Sequence, residues 1–254
     1  MQSFSVPREA HRMIVRLMNS TIAGYETMMA EKPESRIMHL EAVQQLLSRK
    51  SEFKAQSYNV CSNGCYLFNL NDNANQCPVC GWDRCTEKEI SNKSLPVPKI
   101  KLLSIGDVLS KLLSNETTRE QLLYRSQYQQ STDNSYRDYF DRSAYRDCLD
   151  KGMFTSENDQ AVALYVDGFV NSKRGSVKYT MIHLVLLNFS PEIRYKTNYH
   201  IQLGIVASKN KIAIDSFLQP ILSELHYLEE NGMTVVKQDG TRLSAKCYMV
   251  SVVE

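Results

Sequence analysis

The sequence predicts a mixed α and β protein (α+β or α/β): helices at the amino end, a small four-cysteine zinc module, then a strand-rich domain. Three observations carry that prediction. Apolar residues recur at helical spacing before residue 50, five of the seven cysteines fall within residues 58–85, and after Asp159 apolar residues gather into short β-branched runs. These shifts place boundaries at 1–55 for the helical segment, 56–90 for the zinc-binding cysteine module, 91–158 for a linker with helices, and 159–254 for the strand-rich domain.

Pro7 suits a first helical turn, and Ala10, Met13, Ile14, Leu17, Thr21, Tyr25 and Met28 then recur at three and four. They predict an amphipathic helix ending near Lys32 and Pro33. A second helix is expected from Ser35 through Ile37, Leu40, Val43 and Leu47. Such stripes pack as core; the other reading is a Met-rich face for a partner helix.

Cys61-x₃-Cys65 and Cys77-x₂-Cys80 form two close pairs separated by eleven residues. Four thiolates on two tight turns can surround Zn²⁺ tetrahedrally, and Gly64 and Gly81 allow those turns. Disulfides are the alternative, disfavoured in a reducing compartment; Cys85 is a second choice for the place of Cys80. A closed four-thiolate site has no position for water, so its expected role is folding rather than catalysis. Cys148 and Cys247 read as small core residues.

Residues 91–100, with Pro96 and Pro98, read as a linker, and Ser104 to Asp107 as a capping box before Val108, Leu109, Leu112 and Leu113. From Ser126 to Asp150 the composition admits two readings: a mobile linker, or short helices pinned by Tyr136, Tyr139, Phe140 and Tyr145.

Strands are expected at 161–167, 178–188 and 199–206. Asp215 or Ser216 then caps a helix through Phe217, Leu218, Ile221, Leu222, Leu225 and Leu228 that stops at Asn231-Gly232, with Pro220 near its start. Asp239-Gly240 predicts a two-residue hairpin turn between 234–238 and 241–247, and Tyr248–Val253 a final strand. The first of these strands delivers Asp167 beside Gly168. A carboxylate at an exposed strand end can hold Mg²⁺; the plainer reading is a turn acid. Three strands, a helix and a further strand are the order of a ribonuclease-H-like fold, an order that many α/β folds share.

Hydrophobic residues at 43% and charged residues at 23% are ordinary for soluble proteins, and no segment approaches the roughly 18 apolar residues of a membrane span. The first thirty residues lack the apolar block of a secretory signal, which points to an intracellular location. With a net charge of +2 and no basic tail, charge alone gives little support for nucleic-acid binding.

The motifs themselves go further. Tyr165-Val-Asp-Gly-Phe169, Lys173-Arg-Gly-Ser176, Ile182-His-Leu-Val185, the segment Asn188 to Lys196, and Ile214 to Pro220 together resemble the transposase of CACTA (En/Spm-type) DNA transposons. Tyr58 to Cys65 and Cys77 to Gly81 resemble the cysteine module of the same family, in the expected order. The resemblance covers roughly residues 58–253 and adds little for 1–50.

It implies a partial ribonuclease-H-like domain and cut-and-paste DNA transposition by an acid triad holding two Mg²⁺ or Mn²⁺ ions. Asp167 matches the family's first acid. The second lies in a Gly-Asp pair directly after the strand matching Tyr248–Val253, and the third farther downstream, so these residues are expected to be a catalytically incomplete fragment. Glu254 stands in the place of the family's glycine. Asp215 reads as a helix cap, Lys173 and Arg174 as phosphate contacts or a solvated loop, and His183 and His200 as packed residues. DNA is the implied partner, with no membrane; the uncompleted sheet suggests self-association, and the DNA substrate implies the nucleus. The competing expectation is a non-catalytic, zinc-dependent DNA- or protein-binding module derived from a transposase.

Overall fold

The computed structural model describes residues 12–20, 42, 53, 55–84, 98–131, 135–170, 177–209 and 212–253. The chain divides into two units, Met1–Glu52 and Phe53–Glu254. In the first unit residues 12–20 are helical. Its buried side carries Val15, whereas Met13, Ile14 and Leu17, expected as core, are exposed. Of the second expected helix only Ala42 is described, and it is helical; the remaining positions of both stripes lie outside the described residues.

The second unit is built on a four-stranded sheet. Its strands are β4 (Gln160–Val170), β5 (Lys178–Leu186), β6 (Ile201–Ser208) and β9 (Cys247–Val253), in the order β6-β5-β4-β9. β4, β5 and β6 are successive antiparallel neighbours, and β9 returns parallel to β4. The parallel return needs a crossover. It is supplied by the helix Ile214–Glu230 and the hairpin β7 (Met233–Val236) and β8 (Arg242–Ala245).

Strand alternation decides which residues meet which cover. Val162 and Leu164 share one face with Ile182, Leu184, Leu186, Leu203 and Val206, and Phe217, Ile221, Leu225 and Leu228 of the long helix join that core. The other face presents Ala161, Ala163, Val185, Leu187 and Tyr248 to Phe140, Tyr145 and Phe154. The two alanines leave room for this aromatic layer, in which Phe154 and Tyr248 meet edge to face at 4.6 Å and Phe140 and Tyr145 at 4.8 Å.

A second, smaller sheet joins the cysteine region to this core. β1 (Ala55–Val60) pairs with β2 (Leu67–Phe68) on one side and β3 (Lys99–Leu103) on the other. Leu67, Ile100 and Leu102 lie in the same core as the main sheet. The close approach of β3 to β6 requires Gly204, where a Cβ would stand 2.6 Å from the Leu102 side chain. The stretch 91–100, expected as a linker, thus ends in a strand; residues 91–97 lie outside the described residues. After β3 come α1 (Ile105–Ser114), capped by Ser104 as expected, α2 (Glu116–Leu122) and α3 (Tyr124–Gln127).

Between α3 and β4 the short-helix reading is the one observed. A 3-10 turn, Tyr139–Asp141, leads into α4 (Ser143–Asp150), and Tyr139, Phe140 and Tyr145 pack inward, whereas Tyr136 is 76% exposed. Buried polar residues fix this layer. Asn188 accepts from the Ala161 amide at 2.7 Å and donates to the carbonyls of Leu122 and Asp159. Arg125 donates to the Asp159 carbonyl at 3.1 Å, and Arg194 grips both oxygens of Asp138 at 2.8 and 3.0 Å.

Past β5, α5 (Pro191–Arg194) precedes β6, and α6 is the long helix Ile214–Glu230. Two local expectations are corrected. Ser216 is not the cap: α6 starts at Ile214, and the Ser216 hydroxyl lies within its first turn, accepting from the Leu67 amide at 3.0 Å and donating to the Ala213 carbonyl at 2.7 Å. Nor does Asp215 cap it: the cap position is Ala213, and Asp215 sits within that same first turn. The hairpin loop is longer than two residues. The Lys237 amide bonds the Thr241 carbonyl, leaving Gln238, Asp239 and Gly240 as a three-residue loop with Gly240 at φ +81°. Such loops place a left-handed residue third, which suits Gly240.

Candidate metal centre and the Asp167 strand end

Cys61, Cys65, Cys77 and Cys80 converge. Their sulfurs all lie within 4.8 Å of one another, and the Cys65 sulfur stands 3.4 Å from each of the other three. A tetrahedral zinc site with Zn–S near 2.3 Å has sulfur–sulfur edges of about 3.8 Å, whereas a disulfide needs about 2.05 Å. The spacing therefore fits a shared ion and not a covalent pair. Among the described residues these four are the one grouping of His, Cys, Asp and Glu side chains that could hold a metal ion. Cys85 lies outside the described residues.

Each cysteine turn is closed by a glycine amide, over three residues in the first and four in the second. The Gly64 amide bonds the Cys61 carbonyl at 2.7 Å with Gly64 at φ +72°, and the Gly81 amide bonds the Cys77 carbonyl at 2.8 Å with Gly81 at φ +69°. The turns are also tied back, the Cys61 amide to the Tyr66 carbonyl and the Cys77 amide to the Trp82 carbonyl. Cys61, Cys65 and Cys77 are buried and Cys80 is exposed, so the site opens at one corner. Burial pushes the Cys65 thiol up. Burial also acts upward on Cys80, but hydrogen bonds from the Trp82 amide and Asn63 outweigh it and bring that thiol to about 6. The described cysteines can thus hold a zinc ion, and four thiolates leave no coordination position for water.

The first turn is pressed against the main sheet. A Cβ at Gly64 would stand 2.0 Å from the Ala207 carbonyl oxygen of β6. The Lys209 amide and Ser208 hydroxyl both donate to the Asn63 carbonyl at 3.2 Å, and the Ala213 amide donates to the Cys65 carbonyl at 2.8 Å.

Asp167 lies on β4, exposed, opposite Met181 of β5. One turn of the pleat below it, Tyr165 stacks on His183 with ring centres 5.7 Å apart, and His183 stacks on His200 at 5.9 Å. Burial and the neighbouring His200 hold His183 below the ordinary imidazole value, while Asp167 pulls the other way. His183 is half-buried on β5, as expected of a packed strand residue; His200, expected in a strand, lies just before β6 and is exposed apart from that stacking. Among the described residues no second acid joins Asp167 to make a metal-ligating group. Lys173, Arg174 and Glu254 lie outside the described residues. Cys247 is fully buried, and burial pushes its thiol well up; Cys148 is half-buried.

Sequence reasoning missed the buried polar set of Arg125, Asp138, Asn188 and Arg194. Its one legible signal was Asn188 at the close of an apolar run, where a side-chain amide can cap strand ends.

No protein-family model and no curated protein matches the chain. Among the described residues no helix is long and apolar enough to cross a membrane.

Proposed function

We propose that residues 159–254 belong to a ribonuclease-H-like domain of a CACTA-type transposase, braced by a structural zinc at Cys61, Cys65, Cys77 and Cys80, acting on DNA in the nucleus. The observation that carries this reading is the sheet order. Three antiparallel strands and a fourth returning parallel to the first, through one helix, is the order a ribonuclease-H-like fold requires, and the run Tyr165 to Phe169 puts Asp167 in the exposed last part of the inner strand β4, which runs on to Val170 rather than turning at Gly168.

In that reading Asp167 is one carboxylate of a two-metal centre using Mg²⁺ or Mn²⁺, in which the ions activate the attacking oxygen and stabilise the leaving one. A single carboxylate does not hold such a pair. Cutting therefore needs further carboxylates beside Asp167, which is joined by no second acid among the described residues. The test is metal-dependent nicking of transposon-end DNA by the longest polypeptide encoded, with and without Asp167→Asn. Loss of nicking in the variant supports the reading; nicking that survives it overturns the role of Asp167. A second reading, a non-cutting zinc-dependent binding module, is favoured by the absence of a partner acid beside Asp167 among the described residues. Absence of nicking from the longest polypeptide, with DNA binding retained, would select it.

A further inference from the structure

We infer that Cys80 is an oxidation site: hydrogen peroxide oxidises its thiolate, a sulfur of the first cysteine pair closes a disulfide with it across the two turns, and the zinc leaves. This rests on the structural zinc of the reading above and is independent of its DNA part.

The four sulfurs of the site differ in how they meet solvent. Cys61, Cys65 and Cys77 are 3%, 0% and 2% exposed, whereas Cys80 is exposed. The second turn is open around it. Val79 and Trp82 are exposed, and a Cβ at Gly81 would meet nothing within 4 Å among the described residues, where one at Gly64 would run into β6. A peroxide can therefore reach one zinc-bound sulfur and is kept from the other three. Cysteine oxidation follows thiolate character and exposure. Zinc ligation supplies the first and the open corner the second.

Cys80 is also held beside a partner for the disulfide. Asn63 Nδ2 donates to its sulfur at 3.6 Å, while the Asn63 backbone amide donates to the Cys61 sulfur at 3.4 Å. Asn63 is itself anchored to the main sheet, its carbonyl accepting from the Lys209 amide and the Ser208 hydroxyl. The Cys61 sulfur stands 3.5 Å and the Cys65 sulfur 3.4 Å from that of Cys80, so either closes an S–S bond of about 2.05 Å by moving roughly 1.4 Å.

The chemistry balances in two steps. The Cys80 thiolate attacks one peroxide oxygen; an S–O bond forms, the O–O bond breaks, and the departing hydroxide is protonated to water. The sulfur gives two electrons to the peroxide and becomes a sulfenic acid. The Cys61 or Cys65 thiolate then attacks that sulfur; the S–S bond forms, the S–O bond breaks, and a second hydroxide leaves and is protonated. Two of the four ligands are consumed. The remaining two thiolates do not close a tetrahedral site, and the ion is released.

The experiment treats the zinc-loaded intact chain, freed of reductant, with excess hydrogen peroxide while a chromogenic chelator reads released zinc; peptide mass mapping then locates disulfides. The expected result is release of about one equivalent, a Cys80 link to Cys61 or Cys65, and recovery of zinc binding after a thiol reductant and added zinc. Cys80→His, which keeps a zinc ligand but not the exposed thiol, should hold zinc and slow its release at least roughly tenfold. Cys148→Ser, at a half-buried cysteine on α4, should release zinc as the parent does. Thermal unfolding of the untreated variants checks that folding is intact, and the parent's release and disulfide map decide the matter if Cys80→His takes up no zinc. Zinc retained by the peroxide-treated parent, unslowed release from zinc-bearing Cys80→His, or Cys80 left reduced or linked to Cys77 overturns the oxidation site and leaves the zinc reading in place. A folded, reduced parent that carries no zinc overturns both.

Discussion

Glu224, in the middle of α6, accepts a 2.7 Å hydrogen bond from the hydroxyl of Ser104, the cap of α1. The same carboxylate also accepts from the Ile105 and Gly106 amides at 3.0 Å each, so the unpaired donors at the start of one helix are satisfied by the side chain of another. A carboxylate there also complements the positive end of the helix. The cap welds α1, which follows the small sheet, to α6, which covers the large one.

Glu224→Ala should consequently lower stability by about 1–3 kcal/mol, since it strands partly buried amides as well as removing a charge. Glu224→Gln, which keeps an acceptor, should cost less. Urea unfolding of both variants checks the order.

Purified protein should carry about one equivalent of zinc, with four sulfur ligands near 2.3 Å by X-ray absorption. The hydrogen bonds from Lys209, Ser208 and Ala213 to the first cysteine turn extend the consequence of losing it. Cys61→Ser or chelation should weaken the whole unit Phe53–Glu254, read as a lowered unfolding midpoint of its sheet signal. A folded, reduced protein with no bound metal would contradict this.

Gly64→Ala and Gly81→Ala form a matched pair. Both residues have positive φ, but a methyl at Gly81 meets nothing within 4 Å, whereas at Gly64 it meets the Ala207 carbonyl at 2.0 Å. Gly81→Ala should cost about 1 kcal/mol for the backbone conformation alone. Gly64→Ala should cost several kcal/mol, on the order of 3 or more, because backbone must move. Equal losses would mean that the turn is not seated on β6.

Stability should fall in acid through Asp141. The Tyr128 hydroxyl, at 2.6 Å, and the amides of Ser131, Arg137 and Asp138 hold its carboxyl at about 2. An unfolded aspartate titrates near 3.9. The contribution is complete above that value and is lost as pH falls through about 2, an effect on the order of 2 kcal/mol. Urea midpoints from pH 5 to pH 2 should show the loss, and Asp141→Asn should flatten it. Tyr128, the other end of the bond, is pushed up to about 12 by its burial and by Asp141.

Asp167→Asn should leave stability within about 0.5 kcal/mol of the parent, because the side chain is exposed and outside the core. Any loss of strand cleavage in that variant then reports chemistry rather than unfolding.

The large strands were legible because Ala161 to Val166 is a continuous apolar run and Ile182 to Leu186 is broken only by His183, a pattern that can be read locally. The cysteine site was legible because its ligands come as two close pairs. What escaped is non-local. Nothing near Ala55 announces that its partner is Leu103, and nothing in the polar stretch around Asp138 announces Arg194, 56 residues on. Ser216 misled because a serine at a helix start is ordinarily a cap, and here a neighbouring strand claims its hydroxyl. Asp239-Gly240 misled because the glycine alone takes the left-handed place, in a loop one residue longer than the dipeptide suggests.

The parallel pairing of β4 with β9 has a consequence in time. The Asp159 carboxylate at the base of β4 receives the Lys246 amide, a residue made 87 positions later. At ribosomal rates of about 5–20 residues per second, the newly made β4 waits roughly 4–17 seconds for that neighbour. During the wait one edge of its most apolar strand is paired with β5 and the other is bare. Nascent chains should therefore be most prone to tangle, and most dependent on a chaperone, between the emergence of Val170 and that of Cys247.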